Sequence, residues 1–318
     1  MTMNATDTTG PEDTKAGQTG TTDSAGPLAP PPSGQSAPSG AAPGHRPRGT
    51  LPLRVEAERQ LRRRRTLITF AVVILLPVII WAAFAIGGTP SGQANVPSMI
   101  DTATASGLNF ALAVLSVSCG FLLTLPVALF FGDTVASEAG WSSLRYLLAA
   151  PVPRTRLLTS KALVAFGFSA VAVLVLPAVA LGVGTAAYGW SDLQLPTGGT
   201  LPAATAAQDF AVIAGYVFVS QLVVAGLAFW LSTVTDAPLG AVGGAVGLVI
   251  LSNILDQITA LGGIREILPT HGLYAWLDLL QPAAEWAGMA KGVSVSLSYT
   301  IVFVALAYRG FRTKDIVS

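Results

Sequence analysis

Long apolar runs alternate with polar connections along most of this chain. A helix crossing about 30 Å of hydrocarbon needs roughly 20 apolar residues. "LITFAVVILLPVIIWAAFAI", Leu67 to Ile86, has that length. Similar runs extend from about Leu108 to Phe131, Leu163 to Tyr188, Phe210 to Leu231, Pro238 to Ile258 and Gly292 to Tyr308. The pattern predicts an all-α polytopic membrane protein with six transmembrane helices, about 67–86, 108–131, 163–188, 210–231, 238–258 and 292–308. Six crossings would bring both termini to one side.

Charge identifies the side. Lys and Arg concentrate on the cytoplasmic face of membrane proteins. Of 18 basic residues, only Arg265 and Lys291 fall on segments opposite the termini. Both termini and the connection between spans two and three are therefore expected to be cytoplasmic. Net charge is +1, which argues against a nucleic-acid binder. Charged residues are 11% of the chain and hydrophobic ones 52%, against about 25% charge in soluble proteins. Cys119 is the single cysteine, so no internal disulfide and no Cys-rich metal site can form.

Residues 1–50 have a different composition. "TDSAGPLAPPPSGQSAPSGAAPGHRPRGT" lacks aromatic residues and cannot offset its chain entropy by burial, so it reads as a disordered cytoplasmic tail. It lacks the features of a signal peptide. Residues 51–66, "LPLRVEAERQLRRRRT", place Leu53, Ala57 and Leu61 on one face and Glu58 four residues before Arg62. They read as either a short interfacial helix or a plain orientation signal. Residues 67–318 form the membrane domain.

The segment Gly132 to Lys161 holds Asp133, Glu138, Arg145, Arg154, Arg156 and Lys161 between two apolar spans. At roughly 2.5–3.5 kcal/mol each on insertion scales, such charges must face water or protein. Trp141, Leu144 and Leu148 share a helical face, Pro151 stops the helix and Pro153 opens the next. The expected shape is a bent helical hairpin. Its apolar stripe and charged rim suit either a docking surface for a protein or a helix lying on lipid headgroups.

Glu138, Gly140, Leu144-Arg145, Leu147-Leu148, Pro151, Arg154 and Lys161 follow the wording "E…G…LR.LL..P..R…..K". This resembles the cytoplasmic signature of the type-2 ABC exporter permeases, particularly actinobacterial members. "LPTHGLYAWLDLL" and the closing "FRTKDIVS" fit the same resemblance, which covers about residues 51–318. It implies a transmembrane permease subunit of an ATP-binding-cassette exporter in the bacterial cytoplasmic membrane. It implies that the 132–161 segment is a coupling helix seated on a separate ABC ATPase subunit, with Glu138, Gly140, Trp141, Leu144, Arg145, Leu148, Pro151, Arg154 and Lys161 as its coupling residues. Glu138 and Arg145 would orient the hairpin, and Arg154, Arg156 and Lys161 would anchor it at the headgroups. The working assembly would pair two permease copies, identical or different, with two ATPases. A phosphate loop needs Gly-x-x-x-x-Gly-Lys-Ser/Thr, and no such run occurs here. This chain is thus expected to be no enzyme and to bind no cofactor, with ATP and Mg on the partner ATPase.

Other positions invite narrower expectations. Gly240, Gly243, Gly244 and Gly247 form two small-xxx-small pairs that suit close helix packing within the subunit or across a dimer. Ser252, Asn253 and Asp256 line one polar flank of span five. Asp256 lies about 27 Å along the helix from Pro238, at the outer boundary, so it is either a carboxylate at the water edge or part of a substrate exit path. Gln221 reads as a helix-to-helix hydrogen bond. Trp276, Trp286 and Tyr274 suit an interface at headgroup depth. His271 lacks carboxylate or Cys partners at ligand spacing, so no metal site is expected. Competing classes are an ion-gradient-driven carrier, which wants acids or broken helices at mid-membrane, and a membrane anchoring or assembly protein. An intramembrane enzyme is disfavoured because no span holds a histidine.

Overall fold

The computed structural model describes residues 53–88, 98–140, 154–281 and 284–313. These belong to one unit, Arg46–Ser318. The elements in chain order are α1 (Leu53–Leu61), α2 (Arg64–Gly87), α3 (Gly107–Ser118), α4 (Thr124–Gly140) and α5 (Arg154–Tyr188). A two-stranded hairpin follows, β1 (Leu193–Gln194) with β2 (Thr200–Leu201), then α6 (Ala203–Ser220), α7 (Leu222–Val234) and α8 (Pro238–Gln257). Two short 3-10 stretches, Thr259–Ile267 and His271–Leu280, lead into α9 (Ala287–Thr313).

Among the described residues, five helical stretches are long and apolar enough to cross a membrane: Arg64–Gly87, Thr155–Tyr188, Ala203–Val234, Pro238–Gln257 and Ala287–Thr313. The chain is an all-α multi-pass membrane protein. The expected second span is not one continuous helix. It divides into α3 and α4 around Cys119–Leu123, and neither piece is of spanning length. Pro126 helps explain where the helix restarts. It sits in the first turn of α4, where a missing amide donor costs nothing.

The broken pair forms the centre. α3 is buried along nearly its whole length and packs on α5. α4 packs against α5, α7 and α8. Apolar residues elsewhere face outward, including Leu67, Ile68, Val72 and Ile79 on α2, as expected where lipid replaces water as solvent. Aromatic groups tie the layers together. Phe70, Phe130 and Phe168 form a triangle with ring centroids 5.6–6.1 Å apart, joining α2, α4 and α5. Phe229 meets both Phe131 and Tyr308 at ring centroids 6.0 and 6.2 Å apart, joining α4, α7 and α9. Thr159 and Tyr308 share a hydrogen bond of 2.7 Å, so the start of α5 and the end of α9 lie at one end of the bundle.

The hairpin was not anticipated, and a buried side chain explains it. Asn109 in α3 donates from Nδ2 to the Gln194 carbonyl at 2.7 Å and accepts from the Gln194 amide at 3.0 Å. The amide of one asparagine thus completes the edge of β1 as a neighbouring strand would.

Close backbone approach occurs where glycine removes the obstacle. A Cβ on Gly107 would stand 2.7 Å from the Thr185 backbone, and one on Gly132 would stand 2.8 Å from Val242 Cγ2. Gly240 and Gly244 face Thr235 and Leu231 of the same subunit, whereas Gly243 and Gly247 are exposed with nothing within 4 Å. The two small-residue pairs therefore point in different directions. We expect Gly107→Ala to force α3 from α5 and lower stability by about 1–3 kcal/mol. Gly182→Ala, in open space on α5, should be neutral or stabilising by up to about 1 kcal/mol. Thermal unfolding in detergent distinguishes the two. Equal melting temperatures would contradict the proposed close packing.

Candidate functional site

Among the described residues, buried charge gathers at the end of the bundle that carries α1. Asp133, in α4, is 2% exposed. Arg63 Nη1 reaches one carboxylate oxygen at 2.5 Å, and Arg65 Nη1 reaches the other at 2.5 Å. Both arginines stand at the entry to α2, whose turn from α1 brings them round to the same acid. Burial pushes the Arg63 guanidinium below its ordinary value, while the Asp133 charge opposes that shift. Beside this triad, Lys161 of α5 is 6% exposed and donates to Glu56 of α1 at 3.1 Å. Gln60 and Thr134 line the same small polar cavity. Three ion pairs thus pin these elements, two of them holding α4 to the start of α2 and one holding α5 to α1. The cluster is apolar on its deeper side, where the Phe70, Phe130 and Phe168 triangle joins three of these helices.

Of the expected coupling residues, Lys161 is turned inward to Glu56 rather than outward to headgroups. Burying an ammonium is tolerable only with such a partner. Glu138 and Gly140 end α4, and Arg154 begins α5. Trp141, Leu144, Arg145, Leu148 and Pro151 lie outside the described residues, as does the tail 1–50. Asp133 meets two arginines, yet its own sequence neighbours give no hint of them. Its partners are 70 and 68 positions away.

A second feature lies within the bundle. At the gap between α3 and α4, Gln221 donates from Nε2 to the Cys119 carbonyl at 2.8 Å. Thr124 Oγ1 approaches Gln221 Oε1 at 3.5 Å. Gln221 sits at the junction of α6 and α7, inside the apolar stretch Ala203–Val234. A broken helix frees backbone carbonyls, and in lipid they need protein donors. The helix-to-helix hydrogen bond expected of Gln221 is present, and its acceptor is the break itself.

At the opposite end, the segment 259–280 folds back over α8. Ser252 and Thr270 hydroxyls are 2.7 Å apart, and His271 Nδ1 lies 2.5 Å from Asp256 Oδ1. Arg265 approaches the same carboxylate at 3.6 Å. His271 thus has the carboxylate partner that its sequence neighbourhood lacked. Among the described residues, no group of three or more His, Cys, Asp or Glu side chains could hold a metal ion. Ser252 lines an apolar cavity of about 270 Å³ between α7, α8 and α9. Asn253 is half-buried. A cavity of about 260 Å³ lies nearby, its lining including the charged or titratable Glu266, His271, Asp278 and Lys291. Trp276, expected at headgroup depth, is instead fully buried, while Trp286 and Tyr274 are exposed. Its burial fits the pattern of Leu273, Leu279 and Leu280, which turn inward with it.

The family model described as "Protein of unknown function (DUF2705)" matches residues 78–317, most of the chain, and the protein belongs to that family. No curated protein matches the chain.

Removing one partner of a buried ion pair costs about 3–5 kcal/mol. Arg63 and Arg65 are partly exposed, so Asp133→Ala should lose about 3 kcal/mol, read as a lower melting temperature in detergent. Gln221→Leu leaves the Cys119 carbonyl without its donor and should cost about 1–3 kcal/mol by the same measurement.

Proposed function

We propose that the chain is the transmembrane permease subunit of an ATP-binding-cassette exporter, working in the bacterial cytoplasmic membrane by alternating access. On this reading α3 and α4 together make the second of six crossings. Both termini and residues 141–153 face the cytoplasm. A separate ABC ATPase subunit carries ATP and Mg and docks on the 132–161 segment, and a second permease copy completes the path. The cargo has no signature in the residues.

The observation that carries the reading is the charge cluster at Asp133. It ties α4, which enters the 141–153 connection, to the start of α2, and it ties α5, which leaves that connection, to α1. A push delivered to that connection would meet a braced end rather than two independent helices. α4 would then transmit it to α7 and α8, its packing neighbours. The resemblance of Glu138, Gly140, Leu144-Arg145, Pro151 and Arg154 to the exporter signature supports the same assignment.

The α3–α4 break favours a second reading, an ion-gradient-driven carrier, because such carriers use interrupted helices braced inside the bundle. Reconstitution separates the two. With a co-expressed ATPase, the first reading expects ATP-dependent transport that Glu138→Lys with Arg145→Glu abolishes, together with ATPase co-purification, at unchanged melting temperature. Transport by the chain alone down an imposed proton or sodium gradient would establish the second reading. Intact co-purification and transport in the charge-reversed variant would overturn the coupling role.

A further inference from the structure

An open groove of about 640 Å³ runs between α1, α2 and α5, lined by Leu53, Ala57 and Leu61 of α1, Phe70 of α2, and Leu163 and Gly167 of α5. Its walls are apolar apart from Arg54, an exposed residue that also lines it. Leu53, Leu163 and Val171 are each about half exposed along it. The groove therefore opens toward the surroundings of the bundle, which in this membrane protein are lipid. Its position beside the buried charge cluster places it at the end of the spanning helices, where hydrocarbon meets headgroups. Arg59 and Arg62 are engaged with Glu56 and Glu58 on α1 itself, the latter pair at 2.6 Å. Arg54 has no acidic partner among the described residues.

We propose that this groove is a binding site for an anionic phospholipid, one acyl chain lying along Leu61, Phe70, Leu163 and Gly167 and the headgroup phosphate paired with Arg54. The Arg54 charge matches a phosphodiester, and the apolar length beside it matches a hydrocarbon chain and nothing polar. A guanidinium is well suited to a phosphate because its fork of donors can bind two oxygens at once. A bound lipid would fill the space under α1 and hold that helix against α5, next to the Glu56–Lys161 pair. The site depends only on the chain being membrane-embedded and stands whichever transport mechanism applies.

Gly167 offers a clean test, because a Cβ there meets nothing within 4 Å. A leucine side chain leaving the backbone at this position would occupy the groove that Gly167 lines. The full chain, purified in neutral detergent and supplied with phosphatidylglycerol or phosphatidylcholine, is examined by native mass spectrometry. Wild type should retain one phosphatidylglycerol in preference to phosphatidylcholine. Gly167→Leu should lose the adduct while keeping the wild-type melting temperature in lipid-free detergent, and Ala57→Leu, filling from the α1 wall, should do the same. Arg54→Gln should keep a bound lipid but lose about fivefold in preference for the anionic one. An adduct that survives both filling variants, or a full anionic preference in Arg54→Gln, would overturn the proposal. So would a wild-type dimer without a lipid adduct that either filling variant dissociates, since the groove would then hold a second copy of the chain.

Discussion

A carboxylate shut away from water must be met by positive charge, and Asp133 of α4 imposes that demand on the start of α2. Its two oxygens are taken by separate arginines rather than by one bidentate fork. Each arginine therefore fixes a different point of the α1–α2 turn. Lys161 and Glu56 add a neighbouring pair that draws α5 onto α1. Desolvation makes such a cluster costly, and mutual attraction only offsets the cost when every partner is in place. The arrangement is all-or-none, which is a property a force-bearing junction can use. An amphipathic helix that would otherwise lie loosely on the membrane surface is thereby built into the bundle.

The centre of the bundle obeys a different constraint. Hydrocarbon supplies no hydrogen bonds, so an interrupted helix has to carry its own. Gln221 supplies a donor to Cys119, and the restart at Thr124 and Pro126 limits the number of groups left over. Asn109 solves a similar problem near the other end of α3 by acting as a strand edge. Buried amides thus complete the backbone where helix geometry stops. A helix in two pieces can also change the angle between them more cheaply than a continuous one, which suits either transport reading.

At the far end, the segment 259–280 is held by a hydroxyl pair and by the His271–Asp256 contact. Together they close the polar flank of α8 that the sequence leaves open. Ser252 and Asp256 are four positions apart, so both face the same returning segment, as helical geometry requires. Asn253 lies off that line. The glycine pairs of α8 divide by the same rule, one facing α7 and the other facing outward. Tight contact between α4 and α8 comes instead from Gly132, a residue on the other helix.

What the sequence by itself determined is what depends on neighbours along the chain. Run length and hydropathy sufficed for the long apolar helices, because a helix satisfies its own backbone locally and lipid rewards any sufficiently apolar stretch. Spacing of four sufficed for the Glu58–Arg62 pair. Depth sufficed to mark Gln221 as a hydrogen-bonding residue. The tertiary structure alone decided the rest. It alone set Asp133 between Arg63 and Arg65, Lys161 against Glu56, His271 against Asp256, and Trp276 inside rather than at the interface. It also decided that the second apolar run would break, since the donor that makes the break tolerable comes from a residue 102 positions away. Charge pairing, burial and helix interruption are settled by side chains that meet only after the chain has folded, and no local pattern encodes which of them will meet.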